Sequence, residues 1–325
     1  MDFSEILMYV LFVFGLLLIT KGADWFVDAA VSISKRSGIP KAVIGATIVS
    51  FATTAPEFSV SFMAAISGHA DMAVGNAVGS TICNIGIAIG FIAAMRAITV
   101  DDKAFNVKAI LLLLSGGVLV LLCLDGIITA LDGIILLMIF AAYMIYTYIA
   151  QKKNSDSNVC ETPDEKKGIW AKLPLSGYPL DAIIFLAGAI FVILGSKLVV
   201  DNGISIAQHI GIPEIIISLT VISVGTSLPE IVTAITSFRK GCQELSIGNI
   251  VGANVLDITM ILGVSSIFAQ LPINHQLMDY DFIFMMILFV LLAVFGYKKR
   301  ITRGQGVLIA AIYIVYVIGL FVWYK

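Results

Sequence analysis

A chain of 325 residues is long enough for two soluble domains, but 59% of it is hydrophobic and only 13% charged, with mean hydropathy +1.01. Soluble domains are about 25% charged, so no water-facing surface can be built from this mixture. A soluble enzyme, a nucleic-acid binder and a disordered scaffold are excluded. The net charge of −2 says little as a total, and the placement of the charges says much more.

A bilayer core about 30 Å thick takes roughly 20 apolar helical residues. On that template the chain predicts ten spans, at about 7–30, 41–66, 72–96, 107–124, 126–150, 179–200, 213–237, 244–270, 281–297 and 304–324. The first follows Asp2 and Glu5 rather than basic residues and lacks a small-residue cleavage site, so it reads as a retained span. Asp125-Gly126 is the only break between the fourth and fifth. The expected fold class is an all-α polytopic membrane protein.

Lys and Arg set orientation. With the N-terminus outside, 17 of the 20 basic residues fall in cytoplasmic loops, among them Lys35, Arg36, Arg96, Lys152, Lys153, Arg239, Lys298, Lys299, Arg300 and Arg303. The expected location is therefore a cell (plasma or inner) membrane, multi-pass, with both termini extracytoplasmic. The one sizeable polar segment, 151–178, is then a cytoplasmic loop. Its acidic and basic residues interleave without a calcium-loop spacing, so it reads as a solvated linker. Cys83, Cys123, Cys160 and Cys242 show no C-x-x-C spacing, and His69, His209 and His275 fall in or near loops.

A shift of 173 residues lays the chain on itself. Gly38-Ile39-Pro40 lands on Gly211-Ile212-Pro213, and Thr47, Ser50 and Thr53 on Thr220, Ser223 and Thr226. Pro56-Glu57 lands on Pro229-Glu230, and Gly75-Asn76 on Gly248-Asn249. The shift crosses five spans, an odd number, so the copies face opposite ways. The expected organisation is a first repeat at 1–150 with spans one to five, the loop 151–178, and an inverted second repeat at 179–325 with spans six to ten. Inverted repeats mark secondary transporters with a site near the midplane, although a channel could also carry them.

Three acids, Glu57, Glu230 and Asp257, sit deep inside spans. Each costs at least ~2.5–3.5 kcal/mol to insert at that depth, so a function is the default reading. No Lys or Arg lies at the same depth, so the counter-charge must be a proton or a cation. Each glutamate follows a proline, whose missing N–H and bulky ring free carbonyls near Ala52 and Thr53 and near Gly225 and Thr226. Thr53 and Glu57 are i, i+4, as are Thr226 and Glu230, and Ser50 and Ser223 add hydroxyls one turn back. Two carboxylates, two threonine carbonyls and a water give about seven oxygens, which suits calcium with its 6–8 ligands better than magnesium. In the following spans Ser80/Asn84 and Ala253/Asp257 are i, i+4 pairs beside a G-x-x-x-G that lets helices pack closely.

These residues resemble the alpha repeats of the cation/calcium exchanger superfamily, in its sodium/calcium exchanger branch. Gly225-Thr226-Ser227-Leu228-Pro229-Glu230 reads as that branch's signature, and the chain looks like a compact microbial member. The resemblance implies calcium ligands Glu57 and Glu230 with the Thr53 and Thr226 carbonyls. It implies sodium sites built from Ser50, Thr54, Ser80, Ser223 and Ser227 with the shared Glu57 and Glu230, while Asn84 and Asp257 line the middle. It further implies that the first and sixth spans slide across the rest. Two departures are Ala52-Thr53-Thr54-Ala55 in the first copy and Ala253 where a serine is usual, which leaves one sodium site and the ion ratio open.

The expected activity is antiport of sodium against calcium, with no catalytic residues, no cofactor and no nucleic-acid partner. Calcium, sodium and the lipid bilayer are the expected partners, and a monomer is compatible with this reading. Calcium/proton or potassium-assisted exchange is the alternative, and a calcium channel fits less well. Asp257, the deep acid without an acidic twin, is expected to be protonated during exchange and to act as a neutral hydrogen-bonding group, as Asn84 does.

Overall fold

The computed structural model of the protein describes residues 3–36, 50–100, 103–153, 177–239 and 243–324. Gly38, Ile39, Pro40 and Thr47 of the repeat, residues 154–176 of the polar loop with Cys160, and Cys242 lie outside the described residues. Among the described residues eight helices are long and apolar enough to cross a membrane, and two shorter apolar helices, Ala55–Ile66 and Glu214–Thr226, belong to the second and seventh spans. Those are the two spans that carry Pro-Glu. The fold is an all-α polytopic membrane protein of ten spans in two inverted repeats.

The first helix, Phe3–Arg36, and the sixth, Tyr178–Ile210, are longer than the apolar template predicts. The sixth was expected to end near residue 200, where polar residues begin. It continues to Ile210 with its polar side chains satisfied inside the helix, Asn202 and Ser205 donating to the Leu198 and Asp201 carbonyls one turn back at 2.8 and 2.9 Å. It stops at Gly211, whose φ of +72° suits a residue without Cβ.

These two repeat-equivalent helices run antiparallel along each other. Glu5 faces His209 at one end and Ser32 donates to Asp181 at the other, at 2.9 Å. Between those ends a Cβ on Gly15 would stand 3.0 Å from the Gly195 carbonyl, and one on Gly22 would stand 2.8 Å from that of Gly188. Equivalent helices that cross in opposite directions are what an inverted repeat requires.

Four two-residue strands, too short to leave a sequence signal, extend the same symmetry. β1 (Ile98–Thr99) pairs antiparallel with β4 (Arg300–Ile301), and β2 (Ile127–Ile128) with β3 (Leu271–Pro272). Residue 98 plus 173 is 271, and 127 plus 173 is 300, so each pair joins a strand of one half to a strand of the other. The pairs lie one crossing apart and hence on opposite faces. Lys298 and Lys299 flank one of them, while Asp125 and Asn274 flank the other.

The third span (Ala70–Met95) and the eighth (Ile247–Phe268) are the most deeply buried and form the centre. Gly75 and Gly79 press the third span against the seventh, where a Cβ on Gly79 would stand 2.8 Å from the Leu219 backbone. The packing role expected for this G-x-x-x-G is therefore realised. Both central spans switch to π-helix, at Asn84–Ile89 and at Asp257–Ile261. The two switches begin at repeat-equivalent residues, and such turns concentrate at functional sites.

Candidate ion-binding site

The second and seventh spans break at equivalent positions. Thr54 (φ −80°, ψ 0°) separates helix Ser50–Thr53 from Ala55–Ile66, and Ser227 (φ −79°, ψ 0°) separates Ser223–Thr226 from Leu228–Arg239. Pro56 and Pro229 are the second residues of the resumed helices, where a missing N–H leaves no ladder bond unmade. The ladder restarts as Phe58 N–H donates to the Thr54 carbonyl and Ile231 N–H to that of Ser227, each at 3.0 Å. Glu57 and Glu230 therefore sit in the first turn of a resumed helix, where the helix dipole favours negative charge.

Both glutamates are buried, as is Asp257, and the three carboxylates lie within one another's field together with Cys83. Ser227 Oγ donates to Glu57 Oε1 at 3.0 Å, which ties the second half to the first half's glutamate. Glu57 Oε2, both oxygens of Glu230 and both of Asp257 are buried without a hydrogen-bond partner, as are Ser80 Oγ and Asn84 Oδ1. That makes seven oxygens on five residues. Leaving a buried polar group unpaired costs about 1–3 kcal/mol, more if it is charged. Among the residues whose burial is described no Lys or Arg is buried, so none of these offsets the carboxylates.

Of the remaining predicted residues, Thr53 lies beside Glu230 and Thr226 beside Glu57. Thr53 and Thr54 are buried at the first break, and Thr226 donates to Asn76 Oδ1 at 3.2 Å. Ser223 Oγ bonds to the Ser218 carbonyl at 2.5 Å and to that of Asn76 at 3.3 Å, while its lone pairs stay available. The side chain of Ser50 lies outside what is described.

Two asparagines escaped the sequence reading. Asn76 Nδ2 donates to the Glu57 main-chain oxygen (3.2 Å) and to Ser61 Oγ (3.0 Å), which clasps the turn that holds the glutamate. Its place in the repeated Gly-Asn pair was the available signal. Asn254 accepts from Asn84, and its repeat equivalent is Thr81, so a search for matched residues passes over it.

Burial also extends to two acids that depth in the span did not single out, Asp181 and Asp281. Their oxygens accept protein hydrogen bonds, from Ser32 in one case and from Tyr316 (2.8 Å) and Gln276 (3.2 Å) in the other. Satisfied oxygens mark these two as structural, and unsatisfied ones set Glu57, Glu230 and Asp257 apart.

Inverted repeats, helices broken at an acid, and three neighbouring buried carboxylates define a secondary transporter for cations. The chain belongs to the sodium/calcium exchanger protein family, whose model matches residues 7–149 and 180–322. It is 32% identical to the inner membrane protein YrbG of Escherichia coli, over 97% of each chain. It is 26% identical to the sodium/calcium exchanger MaX1 of Methanosarcina acetivorans, over 96% of this chain and 98% of that one. Its fold matches a solved structure of the sodium-calcium exchanger NCX_Mj, soaked with sodium and strontium, at a TM-score of 0.67 and 30% identity over 97% of this chain and 99% of that one.

Proposed function

We propose that the protein is a secondary active antiporter that exchanges sodium for calcium across the membrane by alternating access. The unpartnered buried oxygens of the neighbouring Glu57, Glu230 and Asp257 carboxylates carry this reading. Glu57 and Glu230 match the double charge of calcium, and the Thr53 and Thr226 carbonyls complete an oxygen shell of the kind calcium takes. Sodium occupies flanking positions made by Ser50, Thr54, Ser80, Ser223 and Ser227 and shares the two glutamates. Because both ions use the same carboxylates, one displaces the other. A buried, uncompensated pair of carboxylates is costly, so the site changes sides only when loaded, and exchange follows.

The inverted halves supply the two access states, and the first and sixth helices supply the moving part. Their glycine contacts at Gly15, Gly22, Gly188 and Gly195 join them into one body. In this reading 1–150 and 179–325 are the functional halves and 151–178 is a cytoplasmic loop. One chain carries both halves of the site, so a monomer in a lipid bilayer suffices. No cofactor and no catalytic step enter.

The membrane is the cell membrane, with both termini extracytoplasmic, as the basic residues beside β4 support. A membrane-impermeant thiol reagent should label Cys160 only from the cytoplasmic side, and a cysteine in place of His275 only from outside. The reverse pattern contradicts this orientation.

Competition tests the shared site. Calcium binding to the purified protein should weaken progressively as sodium rises, in the wild type and in Asp257→Asn alike, because Asp257 acts as a neutral group. Insensitivity to sodium would remove the shared site. A loss in Asp257→Asn as large as in Glu230→Gln would make Asp257 an ionised ligand instead.

A further inference from the structure

An asparagine near a cation helps only if its oxygen faces the ion, since its NH2 group repels it. Asn84 therefore needs something that fixes which end points where. A chain of hydrogen bonds does this from an unambiguous start, the Thr81 main-chain carbonyl, which can only accept. Asn254 turns its Nδ2 toward that carbonyl at 3.3 Å. Its Oδ1 is thereby presented to Asn84, which answers with its own Nδ2 at 3.0 Å. The Asn84 Oδ1 is left on the opposite side, buried and among the unpartnered oxygens.

No competing donor loosens this order. The Thr81 hydroxyl is engaged with the Val78 carbonyl at 2.7 Å, and Thr81, Asn84 and Asn254 are all buried from water. The repeat shows why only one half needs the device. The equivalent of Asn84 is Asp257, a carboxyl with an oxygen at either end, which needs no orienting. The equivalent of Asn254 is Thr81, which serves as the anchor.

We infer that Asn254 is a positioning residue: anchored on the Thr81 carbonyl, it holds the Asn84 amide with its oxygen toward the transported ions. The inference rests on the ion-site reading above. Its scope is ion affinity, exerted from the eighth span on a ligand of the third.

A double-mutant cycle tests it, read as calcium and sodium binding to the purified protein by titration calorimetry. Asn84→Ala and Asn254→Leu should each weaken binding by about tenfold, the scale of one charge-assisted hydrogen bond. The double variant should bind no more weakly than Asn84→Ala alone, since Asn254 acts only through that amide. Asn254→Asp, which when protonated still donates to Thr81 and accepts from Asn84, should stay within about threefold of the wild type and keeps the test available if the leucine variant does not fold. Multiplying losses in the double variant, wild-type binding in Asn254→Leu, or a tenfold loss in Asn254→Asp would each overturn the inference. Glu57→Gln serves as the control: if it binds calcium normally, the ion-site reading has failed rather than this one.

Discussion

Glu57→Gln and Glu230→Gln should each reduce calcium transport by about 100-fold or more while the protein remains folded and inserted. Each substitution leaves one carboxylate against a divalent ion that has shed its water. Removing one partner of a buried charge pair costs about 3–5 kcal/mol, and each 1.4 kcal/mol is a factor of about ten. Stability separates this from a folding defect. Without bound ions the wild type carries carboxylate oxygens that no protein group satisfies, so the variants should melt no lower than the ion-free wild type. Added calcium should raise the wild-type melting temperature and leave those of the variants unchanged, because a ligand stabilises only a state that binds it. Thr53→Ala and Thr226→Ala should be milder, since the main-chain carbonyl survives truncation and Thr226→Ala removes the hydroxyl's bond to Asn76 while the Asn76 clasp on Glu57 remains. Near-normal exchange in either glutamine variant would place the central site elsewhere.

Gly79→Ala should produce a second large loss by a different route. Its methyl group would meet Ser223 Oγ and stand 2.8 Å from the Leu219 backbone. Backbone cannot rotate aside as a side chain can, so the third span must back away from the seventh. Overpacking of this kind costs about 1–3 kcal/mol. The separation would stretch the bond from Thr226 to Asn76, already at 3.2 Å, and with it the clasp that Asn76 makes on the Glu57 turn. Expected results are a lower melting temperature in the absence of ions and calcium binding weaker by more than tenfold. Gly117→Ala is the comparison, because a Cβ there meets nothing within 4 Å, and it should behave as the wild type. Normal binding by Gly79→Ala would show that this approach does not set the site geometry.

Much of this was legible in the sequence because it was written twice. The 173-residue shift exposed Pro56-Glu57 and Pro229-Glu230 together, and depth in an apolar span made their charges stand out. The same logic explains what was missed. Asn254 has Thr81 as its equivalent, so matching residues could not find it, and its role depends on a bond to the other half of the chain. Asp281 lies at a span end, where a charge costs little, and only its contacts with Tyr316 and Gln276 show that it is buried. The π-turns at Asn84 and Asp257 carry no propensity signal, because they shift hydrogen bonds without changing the hydrophobic pattern. The ends of the first and sixth helices escaped for another reason. Apolarity reports where lipid ends, whereas a helix ends where a cap such as Gly211 or a proline stops it.

The most direct test of sodium-coupled calcium exchange is calcium uptake into proteoliposomes containing the purified protein. Vesicles loaded in turn with sodium, potassium or a neutral osmolyte, and separately given a proton gradient, are diluted into calcium-containing, sodium-free medium. Uptake should follow the outward sodium gradient alone, stop when that gradient is collapsed, and vanish in Glu57→Gln. Uptake that proceeds equally without sodium, or that only potassium or protons support, would contradict the account.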